Sequence, residues 1–235
     1  MMYGYYFDST YLLILLGLVI TLIAQAKMKS TYARYSQVDS LRGLTGAEAA
    51  RKILLINGVY DVVVQPVSGT LTDHYDPSKK VVNLSEAVYG KTSLAAIGVA
   101  AHECGHALQD SEEYIPLKAR TALVPAANFG SGVSWYLILA GVLLGGNLSI
   151  LTEIGIVLFA VAVGFQLVTL PVEFNASSRA LTQLTDSGMI DSEERKQVKS
   201  VLTAAALTYV AAAASGILQL LRLIILFGGN GRRRR

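Results

Sequence analysis

Residues 12–24 carry no charge, and comparable apolar runs recur at 133–146, 148–170 and 201–227, interrupted only by Glu153 and Arg222. Apolar residues make up 52% of the chain and charged residues 16%, where an ordinary soluble domain is about a quarter charged. One small core cannot enclose that much apolar surface, and a bilayer is the solvent that accommodates the remainder. A signal peptide is a poor reading of the first run, because no positive charge precedes it and Asp8 does. The run reads instead as a retained span, with Tyr3, Tyr5 and Tyr6 at an interface. Runs 133–146 and 148–170 meet through Gly145, Gly146 and Asn147, which suits the tight turn of a helical hairpin. Three spans follow. The fourth run contains Arg222 and alanine stretches suited to close packing, and either spans or folds back onto the polar part.

A hairpin of two spans returns the chain to the side it left, so polar segments 27–120 and 173–200 share one compartment. They hold most of the Lys and Arg residues, with Lys27, Lys29, Lys118 and Arg120 beside apolar runs. The positive-inside bias places both segments in the cytoplasm of a multi-pass cell-membrane protein. The expected organisation is an anchor at 1–26, a catalytic segment at 27–120 and a transmembrane hairpin at 121–170. A second catalytic segment at 171–200 precedes an apolar helix and the basic tail, Arg232 to Arg235, at 201–235. A net charge of +3 with no basic stripe excludes a nucleic-acid partner. The single cysteine, Cys104, excludes an intrachain disulfide framework.

The first polar segment carries its own structural punctuation. Thr45 with Glu48 is a capping box, and its helix should end at Asn57-Gly58. Val62, Val63 and Val64 predict a short strand stopped near Pro66. Residues 70–75 read as extended, Asp76-Pro77-Ser78-Lys79 as a turn, and residues 81–84 as a returning strand. A small antiparallel sheet is expected, with Ser85 and Ser93 capping the helices that follow. The last of those helices, over about residues 94–109, contains His102-Glu103-Cys104-Gly105-His106.

Residues four apart share one helical face, so His102 and His106 can reach a single ion. Imidazole suits zinc, and two protein nitrogens leave room for a third ligand and a water whose acidity the metal raises. Glu103 is placed to act as general base and then to protonate the leaving amine. The chain has only three histidines, and two of them are here. Glu173, just past Pro171 and on the motif's side of the hairpin, is the leading third ligand. Pro171 would then begin a new helix. His74 is the alternative ligand, and suits a substrate or transition-state contact at least as well, as does its neighbour Tyr75. Tyr209 is another candidate donor to the oxyanion. Gly105 and Ala101 keep the helix surface slim for an approaching substrate, and Cys104 points away to pack. Arg179 and Arg222 either pair near the site or remain solvated. No organic cofactor site is apparent.

The run His74-Tyr75-Asp76-Pro77, then Leu84-Ser85, then Ala100 to Ala107 with Pro171-Val172-Glu173-Phe174, resembles the YugP-type membrane zinc metallopeptidases of bacteria. The likeness covers nearly the whole chain. More distantly the arrangement is similar to HtpX-type proteases of the gluzincin class. The resemblance implies a mainly α, α+β fold: a gluzincin-like catalytic unit with a small antiparallel sheet and an HExxH helix, joined to three to four transmembrane helices. It implies Zn²⁺ as the metal, Glu173 as third ligand, and an edge strand near residues 71–75 that holds substrate in extended form. Two positions depart from the pattern. Ser177 stands where many gluzincins have an aspartate supporting a zinc histidine, and Asn175 stands where YugP-type chains often have another.

These readings converge on a membrane-integrated zinc endopeptidase acting on membrane or membrane-proximal proteins. Its partners would be a protein or peptide substrate and the lipid bilayer, with an oligomer or a regulatory membrane partner left open. An intramembrane protease is a different class. The motif helix runs straight into Asp110, Glu112 and Glu113, which favours cutting at the surface. The non-enzymatic alternative is a membrane scaffold or metal-binding assembly factor, which would need the ligands but not Glu103.

Overall fold

A computed structural model describes residues 8–145 and 149–228. The expectations for Tyr3, Tyr5, Tyr6, Gly146, Asn147 and the terminal arginines lie outside them. The elements in chain order are α1 (Tyr11–Tyr35), α2 (Gly46–Ile56), β1 (Val63–Val67), β2 (His74–Asp76), β3 (Val81–Ser85), α3 (Leu94–Ser111), α4 (Ile115–Leu144), α5 (Ile150–Asp186) and α6 (Ser192–Phe227). They form two compact units, one of Met1–Ala24, Arg120–Val168 and Tyr209–Arg235, the other of Gln25–Ala119 and Thr169–Thr208.

Among the described residues, α1, α4, α5 and α6 are each long and apolar enough to cross a membrane. The fourth apolar run is therefore part of one unbroken helix of 36 residues. In the first unit these helices pack through small residues. A Cβ on Gly17 would lie 2.8 Å from Ser215 Oγ, and one on Gly155 would lie 2.8 Å from the Ser134 carbonyl. Such contacts let backbones approach where lipid supplies no hydrophobic drive between helices. Leucines 12, 15, 16, 18 and 22 of α1 are all about half exposed, as a lipid-facing surface requires.

The second unit has a conventional core. Ile53 and Leu54 of α2, Val82 and Leu84 of β3 and Ile97, Ala100 and Cys104 of α3 are all buried together. Thr45 accepts from the Glu48 N–H while the Glu48 carboxylate accepts from Thr45 N–H, so the capping box forms as expected. Asn57 caps the other end of α2. Ser93 caps α3, its hydroxyl accepting from Ala96 N–H.

Three expectations need correction. The sheet is mixed: β3 lies between the other two strands, antiparallel to β2 and parallel to β1. Residues 70–73 form no strand: β1 ends at Val67, beside Pro66 as expected, β2 covers only His74–Asp76, and Leu71 has a left-handed φ of 57°. Ser85 caps no helix. It ends β3, where its N–H and hydroxyl both donate to the Asp73 carboxylate at 2.7 and 2.9 Å.

Candidate metal centre

Helix α3 presents His102 and His106 on one side, their rings edge-on with centroids 4.8 Å apart. Glu173 comes from α5. The expected break at Pro171 does not occur, and α5 runs continuously through it from Ile150 to Asp186. Neighbouring packing commonly holds a proline-bearing helix together in a membrane protein. Gly105 explains how α5 comes so near: a Cβ there would lie 2.5 Å from the Ala176 carbonyl oxygen. Gly105 and the fully buried Ala101 are thus slim for packing, and not for substrate as their size suggested.

The convergence is tight. Glu173 Oε2 lies 3.2 Å from His102 Nε2 and 3.6 Å from His106 Nε2. One ligand atom from each residue falls within 4.8 Å of the others. Glu173 is almost fully buried, as is Glu103. Glu173 thus joins the two histidines in a group that could hold a metal ion.

The far side of each ring decides which nitrogen offers its lone pair. His106 Nδ1 is 3.0 Å from Gln109 Oε1, and the Gln109 amide nitrogen donates to the Val172 carbonyl at 2.8 Å and to Asn175 Oδ1 at 2.9 Å. That amide orientation leaves Oε1 as acceptor, so Nδ1 carries the hydrogen, and in the neutral ring Nε2 turns its lone pair toward Glu173. His102 Nδ1 is 3.2 Å from Ser177 Oγ. Two imidazole nitrogens and a carboxylate oxygen therefore converge, a set of atoms that could hold a metal ion. The chemistry fits zinc. Burial disfavours a cationic His106, but the Glu173 and Glu103 carboxylates outweigh it and raise its proton affinity above the ordinary imidazole value.

The support continues outward. Arg179 Nε donates to Asn175 Oδ1 at 2.8 Å, and its fork grips both Glu112 oxygens at 2.6 and 2.7 Å. That pairing lowers the Glu112 carboxyl below its usual value. Arg179 is accordingly paired. Ser177 and Asn175, the two departures from the expected pattern, do contact the histidine and the glutamine that orient the site.

Glu103 lies beside the strand β2. Its Oε2 accepts from the Tyr75 backbone N–H at 3.0 Å. The Tyr75 hydroxyl donates to Asp110 Oδ2 at 2.8 Å, which also takes Lys80 Nζ at 2.6 Å. Burial and then the Asp110 acceptor push the Tyr75 phenol well above its usual value, so it stays a neutral donor. Tyr75 thus enters the site through its backbone. His74 alternates to the other face of the sheet, where Thr72 O and Asn83 Nδ2 lie 2.8 and 3.2 Å from its ring nitrogens. The structure does not bring His74 to the His102, His106 and Glu173 group. Tyr209 lies on α6, partly exposed. Cys104 is fully buried, its thiol raised by that burial and donating to Ala50 O at 3.5 Å. Arg222 stacks over the Tyr11 ring at 4.6 Å.

Gln109 was invisible to sequence reasoning. Its spacing of three from His106 is the helical-neighbour spacing, but nothing local says that its amide will be held by α5. The family model described as "Putative neutral zinc metallopeptidase" matches residues 10–228. Similarity to "Putative membrane protease YugP" of Bacillus subtilis (strain 168) is 55% identity over 209 residues, covering 89% of this chain and 92% of that protein. No solved structure matches the chain.

Proposed function

This chain belongs to the neutral zinc metallopeptidase family, and from that premise we propose that it is a membrane-integrated endopeptidase of gluzincin type. It hydrolyses peptide bonds of membrane or membrane-proximal proteins, with Glu103 as general base. The observation that carries this reading is the meeting of His102 Nε2, His106 Nε2 and Glu173 Oε2 next to a buried glutamate that is not one of the three.

His102, His106 and Glu173 would hold zinc, which when bound supplies Lewis acidity toward a carbonyl oxygen and brings the acidity of water toward neutrality. Glu103 takes a proton and returns it to the leaving nitrogen. The Tyr75 N–H fixes one carboxylate oxygen, so Oε1 is the oxygen free to accept. Because Tyr75 N–H points at α3 and away from β3, the outer edge of β2 runs past Glu103. An extended substrate laid along β2, His74–Asp76, would bring its backbone to that carboxylate, with affinity coming from main-chain pairing. His74 remains a candidate substrate contact only on the opposite face of the strand.

Purified wild type and Glu103→Gln should each hold about one zinc per chain, since Glu103 is not a ligand. Hydrolysis of an unfolded protein substrate should fall by about 10²–10⁴-fold in the variant. Equal cleavage by the two proteins would reject Glu103 as the base. Zinc without cleavage of any substrate in the wild type would favour a metal-binding assembly factor.

A further inference from the structure

A cavity of about 640 Å³ opens between the end of α1 and the start of α6, within the second unit. From α1 it is lined by Lys27, Thr31 and Arg34, and from α6 by Lys196, Lys199 and Thr203. The spacings of four and three residues put each set on a single helical face. Four cations and several hydroxyls therefore look into one cavity, and no acidic side chain lines it. Glu193 reaches Lys196 at 2.8 Å from the rim, but both side chains are largely exposed, and such a pair is weak. Packing alone gives no reason to gather like charges, which repel one another until an anion neutralises them.

The position on each helix identifies the anion. Lys27 lies three residues past the apolar run of α1, and Lys199 two residues before that of α6. Ile23, one turn before Lys27, is 63% exposed. Cations at that boundary sit at the level of lipid headgroups. We propose that this groove binds the phosphoryl headgroup of an anionic phospholipid, with Lys27, Arg34, Lys196 and Lys199 neutralising it and Thr31 and Thr203 donating hydrogen bonds. The proposal rests on the membrane-integrated reading, though not on the peptidase chemistry.

The test compares wild type, Lys27→Gln/Lys199→Gln, and the control Lys29→Gln/Arg195→Gln. The control removes the same charge from the same stretches of helix but from residues that do not line the groove. Each protein is reconstituted in nanodiscs of phosphatidylcholine with or without phosphatidylglycerol. Thermal unfolding and lipid retained on re-extraction are then measured. Phosphatidylglycerol should raise the midpoint and be retained by wild type and control, with retention by the groove variant falling about tenfold or more. Equal loss in groove and control variants would show diffuse surface attraction and overturn the site. So would indifference of the wild type to phosphatidylglycerol. Glycerol phosphate added to lipid-free detergent solution is the second arm; if it reproduces the full stabilisation, the ligand is a free phosphate and the lipid assignment fails. Alkaline extraction of native membranes separates the underlying reading. A chain released there is not membrane-integrated, whereas one that stays and ignores phosphatidylglycerol refutes the groove alone.

Discussion

Each histidine of the candidate centre is contacted through its other nitrogen by a polar side chain. Gln109 holds His106 and is itself held by Val172 and Asn175, whereas Ser177 holds His102 through a single hydroxyl contact. Gln109→Ala should weaken zinc binding by about 10–100-fold, the usual effect of losing an outer-shell partner. Ser177→Ala should cost less. Competition with a chelating dye measures both, and unchanged affinity in Gln109→Ala would show that the glutamine does not orient the ring. The residues of the centre differ in how legible they were. His102, Glu103 and His106 are readable because a helix places positions four apart together, a local rule. Glu173 is 71 residues from His102, so its role rested on its place after an apolar run and on resemblance. Gln109 acquires its role only from a carbonyl on α5, and no local pattern encodes that.

At the scale of elements, α3, α5 and β2 must meet within tenths of an ångström. Gly105→Ala places a methyl group 2.5 Å from backbone. A helix cannot yield there as a flexible side chain could, so α5 should shift and carry Glu173 away. The expected results are a destabilisation of about 1–3 kcal/mol and a loss of zinc. A thermal melt and metal analysis check both, and full zinc occupancy with an unshifted melt would contradict the close packing. Tyr75→Pro removes the N–H that points at Glu103 and also the phenol that donates to Asp110, so Tyr75→Phe, which loses the hydroxyl alone, is the control. Zinc should be retained while hydrolysis falls by about tenfold or more; wild-type rates would mean that Glu103 needs no such anchor. The two errors in reading the elements have one kind of cause. Pro171 looked like a helix start because proline usually is one, yet packing along α5 overrides that preference. Three short strands in succession suggested an antiparallel sheet, yet β3 inserts between β1 and β2 and pairs parallel with β1, with its Val82 and Leu84 fully buried.

For the molecule as a whole, four helices are long and apolar enough to span a membrane, and the bias of basic residues toward 27–120 and 173–200 predicts that the candidate site faces the cytoplasm. The native thiol of Cys104 is fully buried, so a single new cysteine reports sidedness cleanly. Asp191→Cys should react with a membrane-impermeant maleimide only after the cells are opened, and labelling of intact cells would reverse the orientation. The central claim is the donor set itself. Zinc K-edge absorption on the purified wild type tests it most directly. The expected spectrum contains two imidazoles with oxygen donors at about 2.0–2.2 Å, and Glu173→Ala loses zinc or its carboxylate contribution. A sulfur shell near 2.3 Å, a single imidazole, or a Glu173→Ala spectrum identical to wild type would contradict the assignment of His102, His106 and Glu173.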